Sequence, residues 1–133
     1  KMAVVGFMNT LKLEGARNNI TINALAPLAA TRIAEPSGIF ETYDAELVTP
    51  EAVAAMVSYL VSEDCTDSGN VLSATAGYYS RIQVMEGAGG RVDPRDPMTP
   101  EKIAKLWPQI IAMDDPHGYN DAVENLTAVM AKA

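Results

Sequence analysis

The sequence predicts an α/β fold: two parallel strands joined through a crossover helix, followed by further helices. Three observations carry this. Residues 20 to 26, ITINALA, read as a strand stopped by Pro27, and residues 70 to 77, NVLSATAG, read as a second buried strand. Between them, Thr49-Pro50-Glu51 opens a helix. Strand, long connection, helix and strand make a crossover unit, whose strands run parallel and whose connection is right-handed.

Each element has a local cause. Lys1 to about Arg17 reads as a helix, with Val4, Phe7, Met8 and Leu11 at helical spacing. Met2, Val5, Leu13 and Ala16 fall on other faces, so this helix must be buried on more than one side. Gly15 and Asn18-Asn19 provide its stop. In the strand that follows, Ile20 and Ile22 share one face and Thr21 and Asn23 the other. Pro27 ends it, because proline cannot donate to a ladder. Residues 28 to 48 form a long irregular stretch of the kind used for lids and binding segments.

Thr49 is the expected N-cap of the next helix, with proline at the first position and an acid in the first turn. Its core face is expected to be Val53, Val57, Leu60 and Val61. Gly69 punctuates before the second strand. Residues 86 to 98, with GAGG and DPRDP, read as a loop. Thr99-Pro100-Glu101 repeats the helix start, and Ile103, Leu106 and Ile110 follow at helical spacing. Pro108 predicts a kink or break near Trp107. A last helix is expected from about Asn120 to Ala131, with Val123, Leu126 and Met130 as its stripe.

The composition is globular: 133 residues, 48% apolar and 20% charged. A net charge of -7 argues against nucleic acid, whose phosphates need clustered Lys and Arg, and against an anionic membrane surface. No apolar run approaches the roughly 20 residues that span a bilayer. Cys65 is the one cysteine, so no internal disulfide can form, and a free thiol fits a reducing, cytoplasmic compartment. His117 has no cysteine or second histidine near it, so no metal site is expected; Asp114 and Asp115 read as a solvated turn or helix end. Gly87, Gly89 and Gly90 are not placed between a strand and a helix as a phosphate loop requires. Tyr78, Tyr79 and Trp107 read as packing or subunit contacts. Asn19-Ile20-Thr21 and Asn125-Leu126-Thr127 are chance matches to a glycosylation pattern.

Several stretches resemble the short-chain dehydrogenase/reductase family. Lys1 and the small, apolar helix after it are similar to the family's Tyr-x-x-x-Lys helix, entered at the lysine. Ile22-Asn23-Ala24-Leu25-Ala26-Pro27 resembles its sixth strand, which ends in Pro-Gly with a hydroxyl residue a few positions on. Here Leu28 stands for the glycine and Thr31 takes the hydroxyl position. SEDCTDSGNVLSATAGYYSRIQ is similar to the last helix, turn and seventh strand. APLAATRI and DPMTPEKIAKLW resemble the branch that holds the (3R)-hydroxyacyl-CoA dehydrogenase part of multifunctional enzyme type 2 and its bacterial relatives.

The resemblance covers nearly the whole chain and carries expectations. The fold is the C-terminal half of a doubly wound, Rossmann-like sheet (residues 1–85) plus a helical C-terminal extension (86–133). The activity is hydride transfer between NAD or NADP and a 3-hydroxyacyl-CoA or similar secondary alcohol; the sequence leaves the choice of dinucleotide open. Lys1 is the catalytic lysine and a ribose contact. Pro27, Leu28, Ala29 and Thr31 line the nicotinamide, and no metal takes part. The catalytic tyrosine and serine are expected upstream of Lys1, so the 133 residues alone are expected to be inactive. The helix from Lys1 is expected to pack against its mate in a homodimer or larger assembly. The location follows as cytoplasmic, or peroxisomal within a larger eukaryotic enzyme. The competing reading is a truncated or degenerate homologue that serves as a non-catalytic interaction module.

Overall fold

The computed structural model describes residues 1–34, 36, 38, 40 and 44–131. They fall into two compact units, Lys1–Ile82 and Gln83–Ala133.

The first unit begins with helix α1, Met2–Gly15, extended by a tight turn over Ala16–Asn18. Its end is set by Asn19, left-handed at φ 55°. The Ile20 amide reaches back to the Gly15 carbonyl at 3.0 Å, and the Asn19 amide to Ala16 at 3.3 Å. This pair of bonds is the Schellman arrangement, with asparagine where glycine is commoner. Met8 and Gly15 are buried, and Val5, Leu11 and Lys12 are half-buried, so the inward face steps through 5, 8, 12 and 15. The expected stripe is corrected here: Met8 and Leu11 turn inward, but Val4 and Phe7 are exposed. A helix apolar around its circumference does not choose a face by hydrophobicity alone.

Strand β1 spans Ala24–Pro27, shorter than the 20 to 26 read from the pattern. Residues 22 and 23 bond instead to the turn before the next strand. Ile22 donates its amide to Ser68 Oγ at 2.9 Å and accepts from the Gly69 amide at 2.7 Å. Asn23 donates Nδ2 to the Asp67 carbonyl at 2.8 Å and accepts from the Asn70 amide at 3.0 Å. The chain therefore enters the sheet through a side-chain latch.

Strand β2, Val71–Thr75, pairs with β1 in parallel, Ala24 opposite Val71 through Pro27 opposite Ala74. Between them lies helix α2, Pro50–Leu60, which packs on β2. The strand–helix–strand unit read from the sequence is present. A third strand, β3, Tyr78–Ile82, returns antiparallel beside β2 and was not expected. It follows a two-residue turn, Ala76 (φ 46°) and Gly77 (φ 73°). Positive φ at both central residues matches the twist of a hairpin. The order is β1-β2-β3. Ala74, at the centre, is fully buried at 0% exposure.

On α2, Val53 and Leu60 are half-buried, whereas Val57 and Val61 are exposed, contrary to the expected core face. These two line a recess with Leu60 and with Thr21, Ile22, Asn23 and Leu25, which the helix overhangs without filling.

The second unit holds helices α3, Pro100–Ile110, and α4, Ala122–Ala131. α3 runs two residues past Pro108, so the expected break does not occur. Pro108 sits in the last turn, where loss of its amide removes a single helical bond. Glu86 and His117 exchange backbone bonds of 2.8 Å in both directions. Asn125 donates Nδ2 to Glu86 Oε2 at 2.6 Å. Asp121 Oδ1 caps α4 by accepting from the Val123 and Glu124 amides at 2.8 and 2.9 Å. The expected stripe of Val123, Leu126 and Met130 is exposed, while Asn125 and Ala128 are half-buried. Gly87, Gly90 and Gly118 serve close packing: a Cβ at Gly90 would lie 2.6 Å from Leu106 Cγ. No described helix is long and apolar enough to cross a membrane.

Candidate functional site

The carboxyl ends of parallel strands are where open α/β sheets bind ligands, because connections leave the sheet there and open a crevice. In this chain that place is the end of β1. Pro27, Ala29 and Thr31 line a cleft of about 340 Å³ with Pro50 and Val53 of α2.

The cleft is built by alternation. The Ala24 amide donates to Asn70 at 2.8 Å and the Leu28 amide to Ala74 at 3.1 Å, so even-numbered amides of this segment face β2. Pro27, odd-numbered, therefore ends the strand without removing a ladder bond. Beyond it, the Ala30 amide donates to the Val48 carbonyl at 2.7 Å, which ties the loop to the residue before the α2 cap. Val48 is buried. Residues 28 and 30 are thus held by the protein, and residues 27, 29 and 31 face the cleft. Among the described residues, the amides of Ala29 and Thr31 have no partner. They are donors suited to an amide or phosphate oxygen.

The expected site residues divide accordingly. Pro27, Ala29 and Thr31 come together. Leu28 is adjacent but does not line the cleft; its amide is spent on Ala74, and its side chain is 44% exposed. That explains how leucine is accommodated where a glycine was expected, since the side chain meets solvent. Lys1 caps α1, where its carbonyl accepts from the Val4 amide at 2.9 Å, and its side chain is exposed. It is not among the residues lining the cleft.

One residue of this region was missed as a contributor. Tyr79 donates its hydroxyl to the Ala52 carbonyl in the first turn of α2, at 2.8 Å. The available signal was the run Tyr78-Tyr79-Ser80-Arg81-Ile82 after Gly77, which has strand composition.

Known proteins resemble this chain in sequence and in fold. No family model matches the chain. It is 37% identical over 131 residues to peroxisomal multifunctional enzyme A of Dictyostelium discoideum, covering 98% of this chain and 29% of that protein. It is 39% identical over 110 residues to a short-chain type dehydrogenase/reductase of Mycobacterium tuberculosis, covering 83% of this chain and 37% of that protein. Among solved structures it matches full-length peroxisomal multifunctional enzyme type 2 from Drosophila melanogaster with a TM-score of 0.78 and 27% identity, over 99% of this chain and 24% of that one. The chain thus spans well under half the length of the proteins it matches. In sequence and in fold, the chain is thus similar, over most of its own length, to one part of short-chain dehydrogenase/reductase proteins.

Proposed function

We propose that these residues form the nicotinamide side of an oxidoreductase that moves a hydride between NAD or NADP and a 3-hydroxyacyl-CoA or similar secondary alcohol. The observation that supports it is the cleft at the end of β1, lined by Ala29 and Thr31, whose amides have no partner among the described residues. In this reading the two amides and the Thr31 hydroxyl hold the carboxamide and phosphate oxygens of the dinucleotide. Pro27 and Val53, from β1 and α2, give apolar contacts for the nicotinamide ring. The dinucleotide supplies or accepts the hydride when bound. Lys1 holds the ribose and, by its charge, lowers the pKa of a tyrosine one helical turn before it. The 133 residues contain no such tyrosine, so by themselves they turn over no NAD(H).

The test is dinucleotide binding and 3-oxoacyl-CoA reduction by the full-length protein, with Lys1→Met as the variant. Loss of one acid–base partner is expected to lower kcat/KM by about 100-fold or more. Near-normal turnover by Lys1→Met would remove Lys1 from the mechanism, and failure of the wild type to bind NADH or NADPH would remove the oxidoreductase reading.

The same helix supports a homodimer or larger assembly. Met2, Val4, Phe7 and Leu13 are each more than half exposed on α1, so its outer surface carries several large apolar side chains of the kind that mark contacts. A two-fold contact would pair this surface with itself. Phe7→Glu is expected to shift the full-length protein to a smaller species in sedimentation. The proteins it resembles include ones named peroxisomal, and the expected place is the cytoplasm, or the peroxisome within a larger eukaryotic enzyme. If the wild type proves inactive but associated, the exposed helix face would favour the interaction-module reading.

A further inference from the structure

We propose that Tyr79 is a positioning residue for the cleft at the end of β1, acting through the first turn of α2. The inference rests on the reading of that cleft as the nicotinamide site.

The contacts close a ring. Pro27, on one wall of the cleft, pairs with Ala74, and Ala74 pairs with Tyr79, so the three stand in one row across the sheet. Side chains paired in register share a face. Ala74 brings only a methyl group to that face and is fully buried, which leaves room for the α2 turn to approach. The Tyr79 ring then spans from the third strand to the helix, and its hydroxyl donates to the Ala52 carbonyl at 2.8 Å. Ala52 lies between Pro50 and Val53, the two residues that form the other wall of the cleft. The row therefore begins at one wall and returns to the opposite one.

The first turn of α2 needs such a tie. Its N-cap, Thr49, makes no side-chain cap bond, although its backbone has the extended shape of a cap. Pro50 contributes no amide. The other anchor is the Ala30 amide on the Val48 carbonyl, which joins the same two walls from the loop side. With Tyr79 on Ala52 and Ala30 on Val48, the separation between residues 27–31 and residues 50–53 is set from both ends. Tyr79 touches neither the proposed cofactor nor substrate; it sets the width of the opening that receives the ring.

Tyr79→Phe in the full-length protein keeps the aromatic ring and removes only the hydroxyl. Tyr78→Phe, at the exposed neighbour, is the control. Without ligand, hydrogen exchange is expected to rise roughly three- to ten-fold in residues 28–34 and 48–56 of Tyr79→Phe, matching loss of one hydrogen bond. Exchange in α3 and α4 stays unchanged, and Tyr78→Phe matches the wild type. In steady state, KM for the dinucleotide rises by a similar factor while kcat changes less than two-fold. Unchanged exchange in those segments would overturn the tie, and an unchanged dinucleotide KM beside faster exchange would overturn the positioning role. A wild type without dinucleotide activity would instead defeat the oxidoreductase reading, and with it the positioning role, leaving the exchange result to decide the tie alone.

Discussion

Residues 1 to 82 and residues 83 to 131 are held by different forces. Among the described residues, the buried apolar ones, Met8, Val48, Cys65 and Ala74, lie in the first unit. That unit also has a three-stranded sheet whose register fixes which residues face each other. Among the described residues of the second unit none is buried. It is held by a two-way backbone bridge, a capped helix, glycines packed against neighbours and the exposed Lys102–Asp96 ion pair at 3.0 Å. Exposed pairs of that kind contribute about 0–1 kcal/mol. The first unit therefore depends on exclusion of water around a few positions, and the second on many weak, exposed interactions. Regions of the second kind open locally at lower free energy.

The contrast can be broken most directly at Ala74. Ala74→Leu forces extra carbons into a fully buried site between Pro27 and Tyr79. Overpacking is expected to destabilise the first unit by about 1–3 kcal/mol. Thermal unfolding followed by hydrogen exchange should show the loss in β1 and β2, with α3 and α4 unaffected. Equal losses in both units would mean that they unfold together and that the contrast has no energetic content.

A smaller effect is expected at Gly90, in the second unit. A Cβ there would meet Leu106 at 2.6 and 2.8 Å. Gly90→Ala should cost about 1 kcal/mol, at the low end of overpacking, because Leu106 can partly yield. Trp107 is the single tryptophan and lies on α3, so its emission reports this unit. A lower midpoint by tryptophan emission, with β-strand exchange unchanged, is the expected signature.

The smallest effect sharpens the contrast through a repeated motif. Thr49-Pro50-Glu51 and Thr99-Pro100-Glu101 have the same three residues, yet only Thr99 accepts a side-chain cap bond, from the Lys102 amide at 3.4 Å. Thr99→Ala should therefore cost about 0.5 kcal/mol and Thr49→Ala close to nothing. The Glu101 carboxyl is held below the ordinary 4.5 by its own backbone amide and then by the Thr99 hydroxyl. A lowered folded-state pKa gives stability present above the ordinary value and lost as pH falls through the lowered one. Thr99→Ala should thus lose part of the acid-limb slope in tryptophan-monitored unfolding below pH 4.5, and an identical slope in both proteins would show that the hydroxyl does not act on Glu101.

The helices and the two parallel strands were legible from punctuation. Pro27, Thr49-Pro50, Gly69 and Thr99-Pro100 mark starts and stops that backbone chemistry imposes on any fold. Faces were much less legible. Val4 and Phe7, Val57 and Val61, and Val123, Leu126 and Met130 all recur at helical spacing, and all are exposed. Spacing shows that apolar side chains share a stripe, but what covers the stripe is decided by tertiary contacts. Pro27 and Thr31, which a motif singles out, do come together in one cleft. Tyr79 was not singled out, because its partner is a backbone carbonyl 27 residues away, which no side-chain pattern announces. β3 was hidden because its turn is Ala76-Gly77 and not the Asn-Gly that most strongly signals a hairpin.

Pro27 has a consequence on its other side. β1 is the outer strand of the three, and its odd-numbered residues turn their backbone away from β2. Another strand laid along that flank finds a donor at Leu25 and none at Pro27. Pairing can proceed up to the level of the cleft and must stop there. The flank is thus a template with a terminator: it admits a short neighbour in one register and denies the long, sliding partnerships from which misassembled sheets grow.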